Sequence, residues 1–255
     1  MSEPAVLTET RDEVLLVTLN RPEQRNAVNR AVAEGIAAAL DRLDADDALR
    51  VGVLAGAGKG FCAGMDLKAF VAGEKPTVAG RGFAGIVQRA SAKPLIAAVE
   101  GFAVAGGFEI ALACDLIVAA RGARFGIPEV KRGLVAAGGA LLRLPRRIPY
   151  HLAMELALTG DFVDAERAHE VGLVSRLVEP GDAVEGALEL AATIAANGPL
   201  ALAASKRIVV EAPSWPADEL WQRQAAISDP VRASEDAREG SVAFAEKRAP
   251  RWQGR

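Results

Sequence analysis

The segment GFAVAGGFEI, residues 101–110, follows an apolar run, Leu95–Val99, that is typical of a buried strand. Its small residues let a ligand approach the backbone closely, and its glycine pair opens a predicted helix over Gly107–Cys114. A second segment of this kind, FCAGMDLK at residues 61–68, follows another predicted strand, Val51–Leu54. Because open α/β sheets bind ligands at the carboxyl ends of their strands, the two segments are predicted to converge on one site.

Strand and helix patterns alternate on both sides of these segments. Val14–Leu19 has the β-branched composition of a strand, and Ala31–Leu43 carries apolar residues at helical spacing. Further along, Ala84–Arg89 has the pattern of the end of a helix, and Leu116–Ala119 that of a strand. Repeated strands and helices with short connections predict an α/β fold with right-handed crossovers.

The second half of the sequence is mostly helical. One strand pattern, Leu173–Val178, precedes two helical segments, Asp182–Ala196 and Leu200–Val210. Residues 212–218 contain two prolines, which predict a hinge before a charged helical region, Glu219–Lys247. A weakly amphipathic, charged segment of this kind gains burial by packing on a neighbouring chain.

The composition describes a globular protein. The 255 residues include 33 acidic and 30 basic side chains, and 51% are hydrophobic. This balance gives no basic field, so binding to nucleic acid or to an anionic membrane is not expected. The most apolar stretch, residues 95–120, is interrupted by three acidic residues and is not a predicted membrane span. Two cysteines cannot form a disulfide framework, and the start MSEP lacks signal-peptide features, so we expect a cytoplasmic protein.

Several common site signatures are absent or incomplete. GAGKGF at residues 56–61 follows a strand, but Phe61 replaces the third glycine of a dinucleotide fingerprint, and Lys59 is not followed by Ser or Thr. The two cysteines lack CxxC spacing and the two histidines lie in amphipathic helical contexts, so no metal site is predicted. No GxSxG motif occurs.

The two glycine-containing segments offer backbone N–H groups for binding. The first-turn N–H groups and the dipole of a helix favour an anion, and donors from both segments could hold one developing oxyanion. Glu109 lies inside the apolar stretch 95–120. A buried carboxyl group without a function is costly, which favours a catalytic role over a surface role for Glu109.

Further motifs follow in order along the chain. FGIPE at residues 125–129 and Gly138-Gly139 come after the two segments. Other motifs flank them: Asn20-Arg21-Pro22, Asn26-Ala27, Ala165, Gly172-Leu173-Val174 and Phe244-Ala245-Glu246-Lys247-Arg248. In this order the motifs resemble the crotonase (enoyl-CoA hydratase/isomerase) superfamily over nearly the whole chain. The resemblance implies an α/β core of spirally repeated ββα units, residues 1–198, and a helical C-terminal oligomerisation region, residues 199–255.

The resemblance also implies roles for individual residues. The backbone N–H groups of Met65 and Gly106 would form an oxyanion hole for the enolate of an acyl-CoA thioester. The residues that would bind the CoA part are Arg25, Ala27, Val28, Ala63, Asp66, Leu67, Lys68, Phe244 and Lys247. CoA enters as part of the substrate, so neither a cofactor nor a metal is implied. A homotrimer or a dimer of trimers is implied, with the C-terminal contacts often crossing a subunit boundary.

Glu109 and Glu129 match the paired glutamates of the hydratases. Hydration needs one group to take a proton from water as its oxygen attacks C3, while another proton reaches C2, and paired carboxyl groups suit this task. Different environments would meet the opposite protonation demands, and either glutamate can be the base. Taken singly, each could instead compensate a helix dipole or cap a helix at the surface.

The region after the second glutamate differs from many hydratases. Ala136-Ala137-Gly138-Gly139 stands where many have Pro-Gly-Ala-Gly-Gly, and Lys131-Arg132 lies just beyond Glu129. We expect this departure to change substrate preference more than reaction class. The glycine-rich segment Val71–Gly85 is expected to border the acyl pocket.

The predicted function is that of an enoyl-CoA hydratase, a hydro-lyase that reversibly adds water to trans-2-enoyl-CoA to give 3-hydroxyacyl-CoA. Fatty-acid or sterol side-chain breakdown is its simplest setting. Two alternatives remain at this point. One is a Δ3,Δ2-enoyl-CoA isomerase or another acyl-CoA enzyme of the same superfamily, and the other is a CoA-binding protein without turnover.

Overall fold

The computed structural model describes residues 3–255, and this part of the chain forms eleven β-strands and ten α-helices. The strands are β1 (Val6–Arg11), β2 (Val14–Leu19), β3 (Val51–Gly56), β4 (Thr77–Val78), β5 (Gly82–Phe83), β6 (Leu95–Val99), β7 (Phe102–Val104), β8 (Leu116–Ala120), β9 (Arg124–Gly126), β10 (Phe162–Asp164) and β11 (Arg176–Val178). The helices are α1 (Arg30–Ala45), α2 (Leu67–Val71), α3 (Gly106–Ala113), α4 (Ala140–Arg147), α5 (Tyr150–Thr159), α6 (Ala165–Glu170), α7 (Ala183–Ala195), α8 (Pro199–Glu211), α9 (Leu220–Arg232) and α10 (Glu235–Glu246). Short 3-10 helices span Pro22–Gln24, Pro128–Arg132 and Ala212–Ser214.

The largest sheet has six strands in the order β1-β2-β3-β6-β8-β11. β1 is antiparallel to β2, whereas the other neighbouring pairs are parallel. Parallel strands are buried on both faces, which explains why β3 and β6 read as continuous apolar runs. Their carboxyl ends lead into residues 61–68 and 101–110, the two segments predicted to share one site.

The side chains of β2 alternate between two hydrophobic cores. Leu15, Val17 and Leu19 pack on the side of α1, and Val14 and Leu16 pack on the side of α7. Helix α1 begins where the side chain of its N-cap asparagine accepts a hydrogen bond from the third amide of the helix, at 3.1 Å. Helix α7 buries four alanines spaced four residues apart, so its backbone lies close to the sheet.

A second sheet, in the order β10-β9-β7, supports the site from the side. β7 and β9 are parallel, with Val104 opposite Gly126. This pairing brings the chain that leads to Glu129 beside the chain that leads to Glu109.

The α/β architecture predicted from the sequence is confirmed. The helix predicted over Gly107–Cys114 forms one residue earlier, at Gly106–Ala113, and the strand predicted over Leu173–Val178 is limited to Arg176–Val178. Strands β1, β4, β5, β7, β9 and β10 were not predicted. β1 is an edge strand with four exposed residues, and the other five have two or three residues each, too few to display a period.

The predicted helix end at Ala84–Arg89 is wrong, because the chain forms consecutive turns there. Ala84 and Gly85 have φ values of 54° and 69°, which no right-handed helix contains. Gly85 also packs directly against α1, where a Cβ atom would lie 2.4 Å from the carbonyl oxygen of Ala33. Tertiary contact with α1 therefore overrides the local helical pattern.

The C-terminal region consists of α8, α9 and α10, and the break at residues 212–218 lies between the first two of these helices. The boundary between residues 1–198 and 199–255 stays a prediction. Among residues 3–255 no single helix is long and apolar enough to cross a membrane. Ala183–Ala195 and Pro199–Ser214 pass on length and composition only as a pair bent by 108°.

Candidate active site

The two glycine-containing segments touch through their backbones. The N–H of Val104 donates to the carbonyl oxygen of Cys62 at 3.1 Å, and Cys62 and Ala103 form an isolated parallel bridge. Gly107 is required at this crossing, since a Cβ atom there would lie 2.2 Å from the Cys62 carbonyl oxygen. The two segments, residues 61–68 and 101–110, therefore converge in the structure as predicted.

Two backbone N–H groups at this crossing are free. Within residues 3–255 neither the N–H of Met65 nor that of Gly106 donates to a protein acceptor. Ala105, just before Gly106, has φ 51° and ψ −130°, a strained conformation for a residue with a side chain. The N–H of Ala105 donates to Gly126 at 2.8 Å, which holds the turn in place. The strain is consistent with a turn fixed to present the Gly106 amide.

Phe83 forms a wall beside these amides. A Cβ atom at residue 106 would lie 2.6 Å from the Phe83 ring, so only glycine fits there. Phe83 belongs to the segment Val71–Gly85 that was expected to border the acyl pocket.

Glu109 lies in the first turn of α3 and is only 4% exposed. Its Oε1 accepts a hydrogen bond from the N–H of Ala140 at 3.2 Å. Gly138 lies against the same carboxyl group, and a Cβ atom there would come within 2.3 Å of Oε2. Gly138, which directly follows the departure at Ala136-Ala137, is thus the residue that makes room for the carboxyl group.

Burial raises the pKa of Glu109 to about 7, and the nearby charge of Glu129 contributes in the same direction. The amides of Ala140 and Gly138 and the positive charge of Arg143 act in the opposite direction. The protonated and ionised forms of Glu109 are therefore both populated near neutral pH, which suits a group that gives or takes a proton.

Glu129 lies in the 3-10 helix Pro128–Arg132 and is half-buried. Its Oε2 is buried and has no hydrogen-bond partner among the described residues. Burial raises the pKa of Glu129, while its own backbone N–H and the charge of Arg132 oppose that shift. An unpartnered buried carboxylate oxygen is rare in folded proteins and indicates a place for a ligand or water.

Most of the predicted CoA-binding residues line one groove of about 970 Å³. Those found there are Arg25, Ala27, Asp66, Leu67 and Lys68, together with Met65. The groove also contains Arg21, whose guanidinium forms an ion pair with Asp66 at 2.9 Å. The Asp66 carboxylate in addition accepts hydrogen bonds from the first amides of α2, so it holds the loop rather than offering a free charge.

Two further predicted residues, Val28 and Ala63, do not line this groove. Val28 is fully buried, and its N–H and carbonyl group bond to Gly64 and Asp66, so its contribution is to place the loop. Ala63 faces a smaller cleft of about 290 Å³ that also contains Arg25 and Phe162.

Phe244 and Lys247 lie apart from this groove. Phe244 is 88% exposed at the end of α10 and borders a different cleft, of about 490 Å³, beside Trp252. Lys247 caps α10 in a left-handed conformation with φ 55°. A single chain therefore brings together the loop residues of the predicted CoA site and leaves out its two C-terminal members.

Two residues that shape the site had no role assigned to them from the sequence. Asn26 is 1% exposed and donates to the carbonyl oxygens of Ala57 and Gly60 at 2.9 and 2.8 Å, which ties the early segment to the loop after β3. Arg143 contacts the glycine pair beside Glu109. Asn26 belongs to one of the motifs quoted from the sequence, whereas nothing local marks Arg143. Residues 3–255 contain no cluster of side chains that could hold a metal ion.

The site thus brings two backbone N–H groups without a protein acceptor together with two carboxyl groups, Glu109 and Glu129. Residues 9–255 match the sequence profile of the family described as enoyl-CoA hydratase/isomerase. Enoyl-CoA hydratase EchA19 of Mycobacterium tuberculosis is 46% identical, with 100% of this chain and 98% of the relative covered. Carnitinyl-CoA dehydratase of Proteus mirabilis is 40% identical, with 100% of both chains covered.

Solved structures give the same result. A crystal structure of enoyl-CoA hydratase from Mycobacterium tuberculosis H37Rv has a TM-score of 0.98 and 60% identity, covering 99% of this chain and 100% of that one. Enoyl-CoA hydratase EchA1 from Mycobacterium marinum also has a TM-score of 0.98, with 61% identity and the same coverage. The chain belongs to the enoyl-CoA hydratase/isomerase family, and the predicted crotonase fold is confirmed.

Proposed function

We propose that this protein is an enoyl-CoA hydratase, a hydro-lyase that reversibly adds water to trans-2-enoyl-CoA to give 3-hydroxyacyl-CoA. The observation that carries the proposal is the pair of buried carboxyl groups, Glu109 and Glu129, whose pKa values are both raised and whose charges interact. Hydratases named among the relatives at 46% and 60% identity support it.

The proposed chemistry begins with the thioester carbonyl oxygen at the amides of Met65 and Gly106. As water attacks C3, the C2–C3 π electrons move toward the thioester and negative charge develops on that oxygen, where the two N–H groups stabilise it. One of the two glutamates takes a proton from the attacking water. A proton supplied from the carboxyl pair then reaches C2, so that one molecule of water is added and no other reactant is needed.

The loop groove is proposed to hold the CoA part. Arg25 and Lys68 supply positive charge there, and Leu67 supplies apolar surface. Phe244 and Lys247 are proposed to act on the CoA site of a neighbouring subunit, since they lie away from the groove of their own chain. This arrangement goes with a homotrimer or a dimer of trimers, and no separate cofactor is proposed.

The proposed setting is lipid breakdown in the cytoplasm. Both cysteines, Cys62 and Cys114, are buried free thiols, which agrees with a reducing compartment but does not identify it.

The test is a side-by-side assay of 2-enoyl-CoA and 3-enoyl-CoA thioesters. The panel should cover short to long acyl chains and include carnitinyl-CoA, since a relative is named for it. We expect loss of the conjugated enoyl absorbance with 2-enoyl substrates and formation of the 3-hydroxy product. Turnover confined to 3-enoyl substrates would establish an isomerase instead, and no turnover on any substrate would leave a CoA-binding protein.

A further inference from the structure

Arg143 is an internal cation that the proposed reaction does not yet use. It lies in α4 and is half-buried, and no carboxylate of residues 3–255 lies within ion-pair distance of its guanidinium. Burial lowers the pKa of Arg143, as expected for a charge removed from water. A partly buried charge without an ion-pair partner is unfavourable unless other contacts, such as hydrogen bonds, compensate for its lost hydration.

The guanidinium group bonds to two backbone carbonyl oxygens from different parts of the site. One nitrogen donates to Val87 at 2.6 Å, in the turns that follow Phe83, and another donates to Gly138 at 3.3 Å. The second nitrogen also packs on Gly139, where a Cβ atom would lie 2.1 Å away. Arg143 therefore links the wall of the oxyanion site to the glycine pair.

The glycine pair, Gly138-Gly139, begins the short segment that contacts the Glu109 carboxyl group. Gly138 lies directly against Oε2, and the N–H of Ala140, two residues later, donates to Oε1. A shift of this short segment would move the hydrogen bond of Glu109 and open space beside its carboxyl group. Displacements of about 1 Å at a reacting group can lower a rate by about 100-fold.

We propose, on the basis of the proposed hydratase function, that Arg143 is a positioning residue. It holds the glycine pair against the Glu109 carboxyl group and places an unpaired positive charge near that group. Arg143 does not contact the reacting atoms, and it acts through Glu109.

The charged groups around Glu109 are few. Glu129, on the 3-10 helix, raises the pKa of Glu109, and Arg143, on α4, lowers it. Glu109 and Cys114 in turn act to raise the pKa of Arg143, against the effect of its burial. Removing the Arg143 charge should therefore favour protonated Glu109, whichever role Glu109 has, and the ionisation of Glu109 should move to higher pH.

Arg147 provides a matched control one turn along α4. It donates to the carbonyl oxygen of Leu112 at 2.7 Å, so it ties α4 to α3, as Arg143 ties α4 to the turns that contain Val87. Its burial lowers its pKa, as for Arg143, but its charged neighbours are Arg143, Asp115 and Cys114 rather than Glu109. A loss caused only by weaker helix packing should appear equally in variants of either arginine.

The experiment compares the parent with Arg143→Met, Arg143→Lys and Arg147→Met. Each is assayed for kcat and KM against pH with the 2-enoyl-CoA that the parent hydrates best, and each melting temperature is recorded. For Arg143→Met we expect kcat to fall by up to about 100-fold, the scale of a displacement of about 1 Å at a reacting group, with KM little changed. The ionisation of the kcat profile near neutral pH should move upward. Arg143→Lys keeps the positive charge and should leave the pH of that ionisation unchanged. Arg147→Met should have the parent's kcat and the parent's pH profile.

The proposal is overturned if Arg143→Met keeps the parent kcat and pH profile, or if Arg147→Met shows the same upward movement. Where Arg143→Met does not fold, Arg143→Gln replaces it, since glutamine keeps a donor for the Gly138 carbonyl oxygen and lacks the charge. An unmoved profile in that variant overturns the proposal as well. A parent inactive on every 2-enoyl-CoA would instead refute the hydratase function, so the two failures are distinct.

Discussion

Helix α3 buries seven of its eight residues, whereas α8 and α9, with thirteen residues each, bury none. The carboxyl group of α3 has its contacts within one chain, through the N–H of Ala140 and the close approach of Gly138. The C-terminal helices leave large apolar side chains in solvent, including Trp221 at 80% and Phe244 at 88% exposure.

This difference separates the buried region around α3 from the exposed surface of the C-terminal helices. The burial around α3 raises the pKa of its carboxyl group, and the groups that surround this carboxyl group all belong to the same chain. Exposed apolar surface of the C-terminal kind marks an interaction site in soluble proteins. Changes near α3 should therefore affect kcat and pH dependence, and changes in the C-terminal helices should affect KM and assembly.

The largest expected effect is that of removing a carboxyl group from the α3 region or its partner. Glu109→Gln and Glu129→Gln should each lower kcat for hydration by about 10²- to 10⁴-fold, since a general acid or base is lost while volume is preserved. Glu189→Gln, at an exposed position on α7, is the matched control and should keep the parent rate. Near-normal turnover in either active-site variant would contradict the assignment of that glutamate.

A second effect concerns stability and follows from the burial of Glu109. Its pKa is about 7 when folded, against 4.5 for an ordinary glutamate, so the folded protein binds an extra proton between those values. The free energy of unfolding contributed by Glu109 is therefore fully present below about pH 4.5 and is lost as the pH rises through about 7. The glutamine of Glu109→Gln does not titrate. This variant should thus gain stability relative to the parent on going from low to high pH, by up to about 3 kcal/mol.

Urea unfolding of the two proteins at about pH 5 and about pH 8 measures this difference. Equal pH dependence of the parent and the variant would mean that the Glu109 carboxyl group is not desolvated in solution.

The smallest effect is expected in the C-terminal helices. If Lys247 meets a CoA phosphate of a neighbouring subunit, Lys247→Ala should raise KM by about two- to fivefold, the scale of an exposed charge contact. The increase should shrink at high salt, and kcat should change less, because a remote contact binds ground and transition states alike. Arg176→Ala, at another exposed cation on β11, should leave KM unchanged.

Light scattering completes this comparison by giving the mass of the parent and of Lys247→Ala. We expect a trimer or a dimer of trimers for both. A monomer at micromolar concentration, or a Lys247→Ala variant with the parent KM at every salt concentration, would remove the C-terminal helices from the CoA site. The glutamate chemistry would be unaffected by either result.

The amino-acid sequence by itself determined the α/β fold and the pairing of the two glycine-containing segments. Apolar runs such as Leu95–Val99 report burial on both faces of a strand, and glycines such as Gly106 and Gly107 report close backbone approach. These are local properties, because a residue type limits the backbone and the burial of its own position. The order of the motifs along the chain predicted the enoyl-CoA hydratase/isomerase family, and the comparisons with known proteins confirm that prediction.

Only the tertiary structure decided the environment of the carboxyl groups. The hydrogen bond to Glu109 comes from Ala140, and its opposing charges come from Glu129 and Arg143, all twenty or more residues away. The turns at Ala84–Arg89 likewise follow from contact with α1 rather than from their own pattern. The physical reason is that desolvation and Coulomb interactions depend on distances in space. A sequence pattern reports such distances only where spatial neighbours are also neighbours along the chain.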